Sequence, residues 1–297
     1  MDTLNKKIDF SVIVSVKNAN PNGDPLNGNR PRVNYDGLGE LSDVCLKRKI
    51  RNRLLEAGQP VFVQSDDNRV DEYRSLRQRA EAGLKDYLKD AVKFREAACK
   101  KWIDVRAFGQ VFAFKADKKS KGKSEESDES GSDTGVSIGV RGPVSIHPAF
   151  SIAPVSVSSI QITKSVSGEG DGSKRGSDTM GMKHRVDHGI YVFYGSMNPQ
   201  LATKTGFSDE DANAIKKALV ELFQNDASSA RPEGSMEVHK VYWWTHNSAN
   251  GQYSSAKVHR SLQVSIKEGI TEPKEIQDYK IEITPLEGLM MEAIDGL

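Results

Sequence analysis

KNANPNGDPLNGNRPRVNYDGLGELSDVCLKRKIRNR, residues 17–53, is the stretch on which the fold prediction depends. In its first half, Asn residues are interspersed with Pro and Gly, which is typical of an irregular loop that offers amide groups. In its second half, five Lys or Arg residues lie within positions 47–53, and apolar residues recur at helical spacing. The stretch therefore predicts an amide-rich loop that leads directly into a cationic helix.

The helix is predicted to begin after Ser42 and to end at Gly58. The Ser42 hydroxyl can accept a hydrogen bond from the free N–H groups of the first turn, and an acidic residue follows it to complement the helix dipole. Leu46, Ile50 and Leu54 are spaced i, i+4, i+8 and form an apolar stripe. This stripe predicts that one helix face packs on the core.

The cations of this helix border its apolar stripe. At about 100° per residue, Lys47 and Arg51 lie on one flank and Arg48 on the other. Within the predicted helix, only Asp43 and Glu56 offset the positive charge. One interpretation is a solvated helix whose Lys and Arg stems cover the core edge. The neighbouring Asn-rich loop favours a second interpretation, a cradle for phosphates and bases.

Two motifs in this stretch resemble a known family. NPNGDP-x-x-GN-x-PR followed by LSDVCLKRKIR resembles the opening of the type I-C backbone subunits of Cascade, the CRISPR-associated, guide-RNA-coating proteins of the RAMP superfamily. The pattern S-x-x-x-LKR-x-x-R is similar to the first helix of backbone subunits from other subtypes.

The resemblance implies an α+β fold with a ferredoxin-like (RRM-like) palm, large insertions, a helical side region and a projecting β-hairpin thumb. It implies a non-catalytic, RNA-binding subunit whose copies stack along one CRISPR RNA. The implied partners are the CRISPR RNA, further copies of the chain, the target DNA strand by way of the guide, and the handle-binding, large and small Cascade subunits. We expect no cofactor.

Composition limits the class of protein. The net charge is +1 and the sequence pI about 7.7, so any nucleic-acid surface must come from a local concentration of charge. Cys45 and Cys99 form no C-x-x-C pair, which fits a reducing cytoplasm and argues against a cysteine zinc site. No run of about 18 apolar residues occurs. We therefore expect a cytoplasmic protein that does not contact a membrane.

Strand and helix patterns alternate along the chain. Apolar residues at every second position predict the first strand, and apolar residues on both sides of HGIYVFYGSM predict a central strand or a subunit contact. The order strand, helix, strand, strand, helix, strand is the ferredoxin-like arrangement. We therefore predict a single elaborated domain over residues 1–297. The predicted elements outside the opening stretch are strands at 8–17, 188–197, 235–247, 258–266 and 279–283 and a helix at 208–226.

Insertions are predicted between these elements. Residues 66–101 read as amphipathic helices with solvated charges, and 102–114 as a strand or a buried turn leading into one. Arg106 is the lone cation of that apolar run, so it is either a paired arginine at the core edge or a phosphate contact. Residues 115–135 contain almost no apolar side chains and are expected to form a disordered loop.

A Gly-rich segment at residues 165–185 is predicted to project from the domain. By itself it could be a surface loop without a role. In the resembling family a hairpin thumb projects from this place, closes over the RNA and separates stacked bases. An apolar tip flanked by cations suits a wedge of that kind.

The candidate RNA-binding residues combine the loop, the first helix, the isolated cations and the projection. They are Asn18, Asn20, Asn22, Arg30, Arg32, Lys47, Arg48, Arg51, Arg106, Arg141, Lys164, Met182, Lys183, His184 and Arg185.

Other chemistry is weakly supported. The spacing Asn18-x-Asn20-x-Asn22 imitates a calcium loop, but the twelfth position is Asn29 where a bidentate Glu is needed. An RRM-type regulator would carry an aromatic RNP run, which the sequence lacks.

The alternative function is a metal-dependent target-RNA endonuclease of the type III kind, which would use Asp24 or Asp36. Loop Asp residues are common turn formers, so we expect a protein that is not an enzyme.

Overall fold

The computed structural model describes residues 2–88, 90–114, 136–165 and 180–297. Its strands are β1 (Ile8–Ala19), β2 (Gly23–Asp24), β3 (Arg30–Pro31), β4 (Leu38–Leu41), β5 (Gln110–Phe114), β6 (Val136–Val140), β7 (Val144–Ile146), β8 (Ala149–Pro154), β9 (Val157–Thr163), β10 (Met180–Met197), β11 (Met236–Thr245), β12 (Leu262–Ile266), β13 (Tyr279–Ile283) and β14 (Met290–Asp295). Its helices are α1 (Asp43–Glu56), α2 (Leu76–Gly83), α3 (Ala91–Lys101), α4 (Ile103–Phe108), α5 (Pro199–Thr205), α6 (Asp209–Val220) and α7 (Ser255–Arg260).

An antiparallel sheet of eight strands organises the molecule, with the order β14-β11-β1-β10-β8-β4 and with β7 and β9 also paired to β10. β1 pairs along its length with β10 on one side and β11 on the other. The strands predicted at 8–17, 188–197 and 235–247 are therefore confirmed, and 188–197 is central. The large antiparallel sheet with helices confirms the expectation of a mixed α and β fold.

Both faces of the sheet are covered. α1 and α6 pack on one face against apolar side chains of β1 such as Phe10 and Val12. On the other face, Ile13, Ile190 and Val192 lie under α7 and the β12–β13 hairpin. The polar residues Asp9 and Ser11 in the first half of β1 are consequently buried as well, and Asp9 accepts a hydrogen bond from His246 Nε2 at 2.8 Å.

The two predicted long helices begin where expected, and α1 also ends as expected, whereas α6 ends at Val220 and not at the predicted residue 226. The Ser42 hydroxyl accepts from the Cys45 N–H at 3.3 Å at the start of α1, and Gly58 follows the helix with a φ of 76°. A capping box between Ser208 and Asp211 begins α6. Their apolar stripes are buried, as the periodicity predicts.

The side region between α1 and β7 differs from the prediction in detail. Residues 103–108 form α4 instead of a strand or turn, because the Asp104 carboxylate accepts from the N–H groups of Phe62 and Val63 and so ties α4 to the preceding loop. α2, α3 and α4 enclose a second, small core with β5 and β6. Arg79, predicted to be solvated, is buried there and donates to Asp71 at 2.7 Å.

The C-terminal region also departs from the prediction. Val258 lies in α7 and only Leu262–Ile266 of the predicted strand is extended. The strand predicted at 279–283 is confirmed as β13. Sequence patterns did not indicate β14, which pairs with β11 at the sheet edge.

Two predictions fall largely outside the described residues. The predicted disordered loop at 115–135 lies there, as do residues 166–179 of the predicted projection. The described strands that bracket the latter, β9 and the start of β10, pair antiparallel from Val157↔Val186 to Thr163↔Met180. Within the described part of the chain, no helix is long and apolar enough to cross a bilayer.

Candidate nucleic-acid interface

The candidate site lies where the end of β1 meets the starts of β10 and β11. Ala19 pairs with Val186 of β10, and Val16 pairs with Met236 of β11. Because antiparallel neighbours bring the end of one strand to the start of the next, the Asn-rich loop after β1 lies beside the β9–β10 arms and beside the loop before β11.

A cleft of about 290 Å³ opens between these three segments. It contains four of the predicted residues, Asn20, Met182, Lys183 and His184. The other side chains and backbone that line it belong to Gly28, Asn29, Ile162, Ser229 and Ala230. The structure therefore joins the loop and the projection, which lie more than 150 residues apart in the sequence.

A chain of hydrogen bonds crosses from the loop to the arms. Arg30 Nη1 donates to the Ser159 hydroxyl at 3.3 Å, and the Ser159 oxygen lies 2.8 Å from His184 Nδ1. Because Ser159 accepts from Arg30, its own proton is available for His184. Arg30 and His184 are thus held in a fixed relation at the rim of the cleft.

The predicted Asn residues mainly shape the loop. Asn22 Oδ1 accepts from both the N–H and the hydroxyl of Ser42 at 2.9 Å and so fastens the loop to the start of α1. Asn20 Nδ2 donates to the carbonyl of Asn29 at 2.7 Å. Asn18 is exposed in the left-handed region, with a φ of 54°.

The cations of α1 are neutralised more fully than the local sequence suggests. Lys49 is bonded to Asp226, Arg51 donates to Asp104 at 2.9 Å, and Arg53 pairs with Glu221. The expectation that only Asp43 and Glu56 offset these charges is wrong, because α4 and the segment that follows α6 supply three further carboxylates. Burial lowers the pKa of Lys49, and the charge of Asp226 opposes that shift.

The other two predicted cations of α1 lie at the surface. Lys47 pairs with Asp43 at 3.0 Å across one helical turn. Arg48 is exposed and has no ion-pair partner in the described ranges. Lys47 is partly exposed, and ion pairs near the surface contribute little to stability and exchange readily. Both side chains can therefore reach a ligand.

Arg106 and Arg141 lie by α4, away from the cleft. Arg106 makes a bidentate ion pair with Asp211, at 2.8 Å and 2.7 Å, which favours the interpretation of a paired arginine at the core edge. Arg141 is exposed. Arg51 belongs to the same neighbourhood, since its guanidinium lies 5.1 Å from the centre of the Phe108 ring.

The remaining predicted residues border the loop and the arms. Arg32 pairs with Asp24 at 3.4 Å, and Arg185 lies 3.9 Å from Asp187. Lys164 is exposed just after β9.

Sequence patterns missed the loop before β11. Residues 227–234, between the predicted helix and strand, contain Pro, Gly and small polar residues, which are typical only of a turn. Ala230 reaches the cleft because its carbonyl accepts from the Asn20 N–H at 2.9 Å. No local pattern marks this position, because only the pairing of β1 with β11 places the loop before β11 beside the Asn-rich loop.

Among the described residues, no three His, Cys, Asp or Glu side chains form a group that could hold a metal ion. The Asp24 carboxylate accepts from the Leu26 N–H at 3.2 Å and from Arg32. Asp36 is exposed in a turn, where its N–H donates to Asn34 Oδ1 at 2.9 Å.

Comparison with known proteins decides the family. The family model described as CRISPR-associated protein Cas7 matches residues 6–284. The chain belongs to the Cas7 family. A CRISPR-associated protein Cas7 of Haloferax volcanii is 28% identical over 233 residues, which cover 77% of this chain and 67% of the relative.

Two solved structures were compared with the Cas7-family chain. One is described as a CRISPR RNA-guided surveillance complex, pre-nicking, with 13% identity, a TM-score of 0.47 and coverage of 90% of this chain and 84% of the other. The second is described as a CRISPR RNA-guided surveillance complex, with 17% identity, a TM-score of 0.44 and coverage of 89% and 78%. The resemblance in residues 17–53 is confirmed by the family match at the level of the Cas7 family.

Proposed function

We propose that the chain is the RNA-binding backbone subunit of a cytoplasmic type I-C CRISPR surveillance complex. Several copies would assemble along one CRISPR RNA, beside the handle-binding, large and small subunits, and present the RNA for pairing with target DNA. Membership of the Cas7 family supports this proposal, and the type I-C motif in residues 17–53 supports the subtype. The four strands β11, β1, β10 and β8 would form the ferredoxin-like palm.

The observation that carries the proposal is the composition of the cleft. Lys183 lines it and has no ion-pair partner in the described ranges, and Arg30 stands at its rim. Met182 and Ile162 expose 55% and 48% of their surface on the β9–β10 arms. Cations beside exposed apolar side chains suit a single RNA strand, whose phosphates need positive charge and whose bases need apolar contact.

The binding mode follows from which groups are available. Arg48 and Lys47 on α1 and the two cations at the cleft would contact phosphates, which carry no sequence information. Arg51 and Arg106 are engaged by carboxylates and would hold α1 and α4 in place. Affinity would then be independent of RNA sequence, and base pairing by the guide would select the target.

The proposal is tested by binding unrelated RNA sequences of graded length, with filter retention and sizing of the complexes. We expect similar affinity for all sequences and stepwise growth of the complex with RNA length. The double variant Arg30→Glu, Lys183→Glu should lose RNA retention at least tenfold, because it replaces two attractive charges by repulsive ones. The matched control is Lys267→Glu, at an exposed position just after β12 that does not line the cleft, and this variant should bind RNA normally. Unchanged retention in the double variant would overturn the proposal.

We also propose that the subunit does not cleave RNA. The Asp24 carboxylate is used by a turn N–H and by Arg32, which supports a role in shaping the loop. Labelled RNA incubated with the protein and Mg²⁺ should remain intact over hours. Cleavage that Asp24→Ala or Asp36→Ala abolishes would favour the endonuclease alternative.

A further inference from the structure

The side-chain oxygen of Asn20 is a hydrogen-bond acceptor that has no donor among the described residues. The residue exposes 3% of its surface and lines the cleft, yet its Oδ1 has no hydrogen-bond partner among the residues that the structure describes. The donors of Asn20 bond to residues that line the cleft. Its backbone N–H donates to the Ala230 carbonyl at 2.9 Å, and Nδ2 donates to the Asn29 carbonyl at 2.7 Å. The Nδ2 bond fixes the orientation of the amide, and Oδ1 is the polar atom of the side chain that remains without a partner among the described residues.

Because Asn20 Oδ1 is an acceptor, only a group that donates a hydrogen bond can satisfy it. Leaving it without a hydrogen bond costs free energy that an incoming donor recovers. Phosphate oxygens and carboxylates are acceptors themselves, so they do not satisfy Asn20 Oδ1. The matching group must carry an N–H or O–H.

We infer that Asn20 Oδ1 accepts a hydrogen bond from a ribose 2′-hydroxyl, so that the cleft distinguishes RNA from DNA. The inference rests on the proposed function. Within a nucleic acid, the 2′-hydroxyl is the donor that every ribonucleotide carries and every deoxyribonucleotide lacks. Lys183 lines the same cleft, and a phosphate held by this cation brings its adjoining ribose with it. A base donor would make binding depend on sequence, whereas a sugar donor would not.

The test compares RNA with 2′-fluoro RNA of the same sequence, which keeps an RNA-like sugar but has no hydroxyl proton. The wild-type protein should bind RNA roughly threefold to tenfold more tightly than 2′-fluoro RNA for each contact, the range expected for one hydrogen bond. Asn20→Ala should bind both strands equally, at the level of 2′-fluoro RNA. Asn20→Leu has a side chain of similar shape without an acceptor and should behave in the same way, which keeps the test valid if the alanine variant folds poorly. Asn213→Ala removes an exposed amide from α6 and should keep the wild-type preference.

The outcomes separate the inference from the function. A wild-type protein that retains no RNA overturns the proposed function. A wild-type protein that retains RNA and 2′-fluoro RNA equally overturns only the ribose contact. A preference that survives in both Asn20 variants also overturns it, because the hydroxyl is then read elsewhere. Indifference to 2′-fluoro combined with a difference between oligo(A) and oligo(U) would assign the donor to a base and reject the ribose.

Discussion

The ammonium group of Lys49 on α1 is bonded to the carboxylate of Asp226 in the loop after α6, and only 1% of Lys49 is exposed. Asp226 also accepts from Arg231 Nε at 3.0 Å. In the sequence, Ser229 and Ala230 lie between Asp226 and Arg231, and they form one wall of the cleft. The pair therefore fastens a wall of the candidate site to the core helix.

The two partners of this pair should differ in their effect on stability. Asp226→Ala leaves a buried ammonium without a counter-charge and should lower the free energy of unfolding by about 3–5 kcal/mol. Lys49→Met leaves Asp226 with Arg231 and replaces the charge by an apolar side chain of similar length, so it should cost less than about 2 kcal/mol. Urea denaturation measures both. Equal losses of unfolding free energy in the two variants would show that Arg231 does not neutralise Asp226 when Lys49 is replaced.

Arg48 and Lys49 should differ in the salt dependence of RNA binding. Each phosphate contact on a single strand adds about 0.7 to the slope of log affinity against log salt. We expect Arg48→Ala to reduce that slope by about 0.7 for each copy bound, because its exposed guanidinium contacts a phosphate in the proposed function. Lys49→Met should leave the slope unchanged, since its charge is buried. Titrations of RNA binding between low and moderate salt measure this slope. A changed slope in Lys49→Met and an unchanged slope in Arg48→Ala would refute the assignment.

The bidentate pair between Arg106 and Asp211 should be sensitive to the shape of the cation. Arg106→Lys keeps the charge but loses one of the two parallel hydrogen bonds, and Asp211 Oδ2 also accepts from the Ser208 N–H at 3.0 Å. We expect a loss of about 1–3 kcal/mol in unfolding free energy. The matched control is Arg77→Lys, whose pair with Glu81 is exposed and should change stability by less than about 0.5 kcal/mol. Similar losses in both variants would contradict the expected role of the bidentate geometry.

Stability should fall in mildly acidic solution because of His259. Burial lowers the pKa of His259 below its ordinary value of 6.5, although Asp9 at 3.7 Å opposes the shift. The unfolded chain therefore binds a proton first as the pH falls. This contribution to stability is complete above about pH 6.5 and is lost as the pH falls toward the lower folded-state pKa, at up to about 1.4 kcal/mol per pH unit.

Urea denaturation between pH 7.5 and 5 measures this effect. His259→Gln places an amide nitrogen close to the position of Nε2, so it can still donate to the Gly195 carbonyl, which His259 Nε2 contacts at 3.1 Å, and it cannot titrate. The variant should show a shallower decline with falling pH than the wild type. An identical decline in both proteins would assign the pH dependence to other groups, such as His188 and His239, whose pKa values burial also lowers.

Local sequence predicted the elements whose causes are local. The Ser42 cap and the Leu46 stripe were sufficient for α1, and the capping box of Ser208 was sufficient for α6, because caps and apolar periodicity act within a few residues. The segment at 103–108 was mispredicted because a tertiary contact, the Asp104 carboxylate with the loop at Phe62, overrides its strand-like composition. The edge strand β14 went unnoticed because its pairing with β11 depends on a distant partner.

The sequence by itself determined that an amide-rich loop precedes a capped, cation-bearing helix, and this motif was sufficient to indicate the family. Only the tertiary structure decided which cations remain available, because the carboxylates of Asp104, Asp211 and Asp226 come from elements far along the chain. It also decided that Asn20, Lys183 and Ala230 meet at one cleft. The physical reason is strand pairing: antiparallel neighbours bring remote loops to the same edge of the sheet, and a linear pattern contains no record of that pairing.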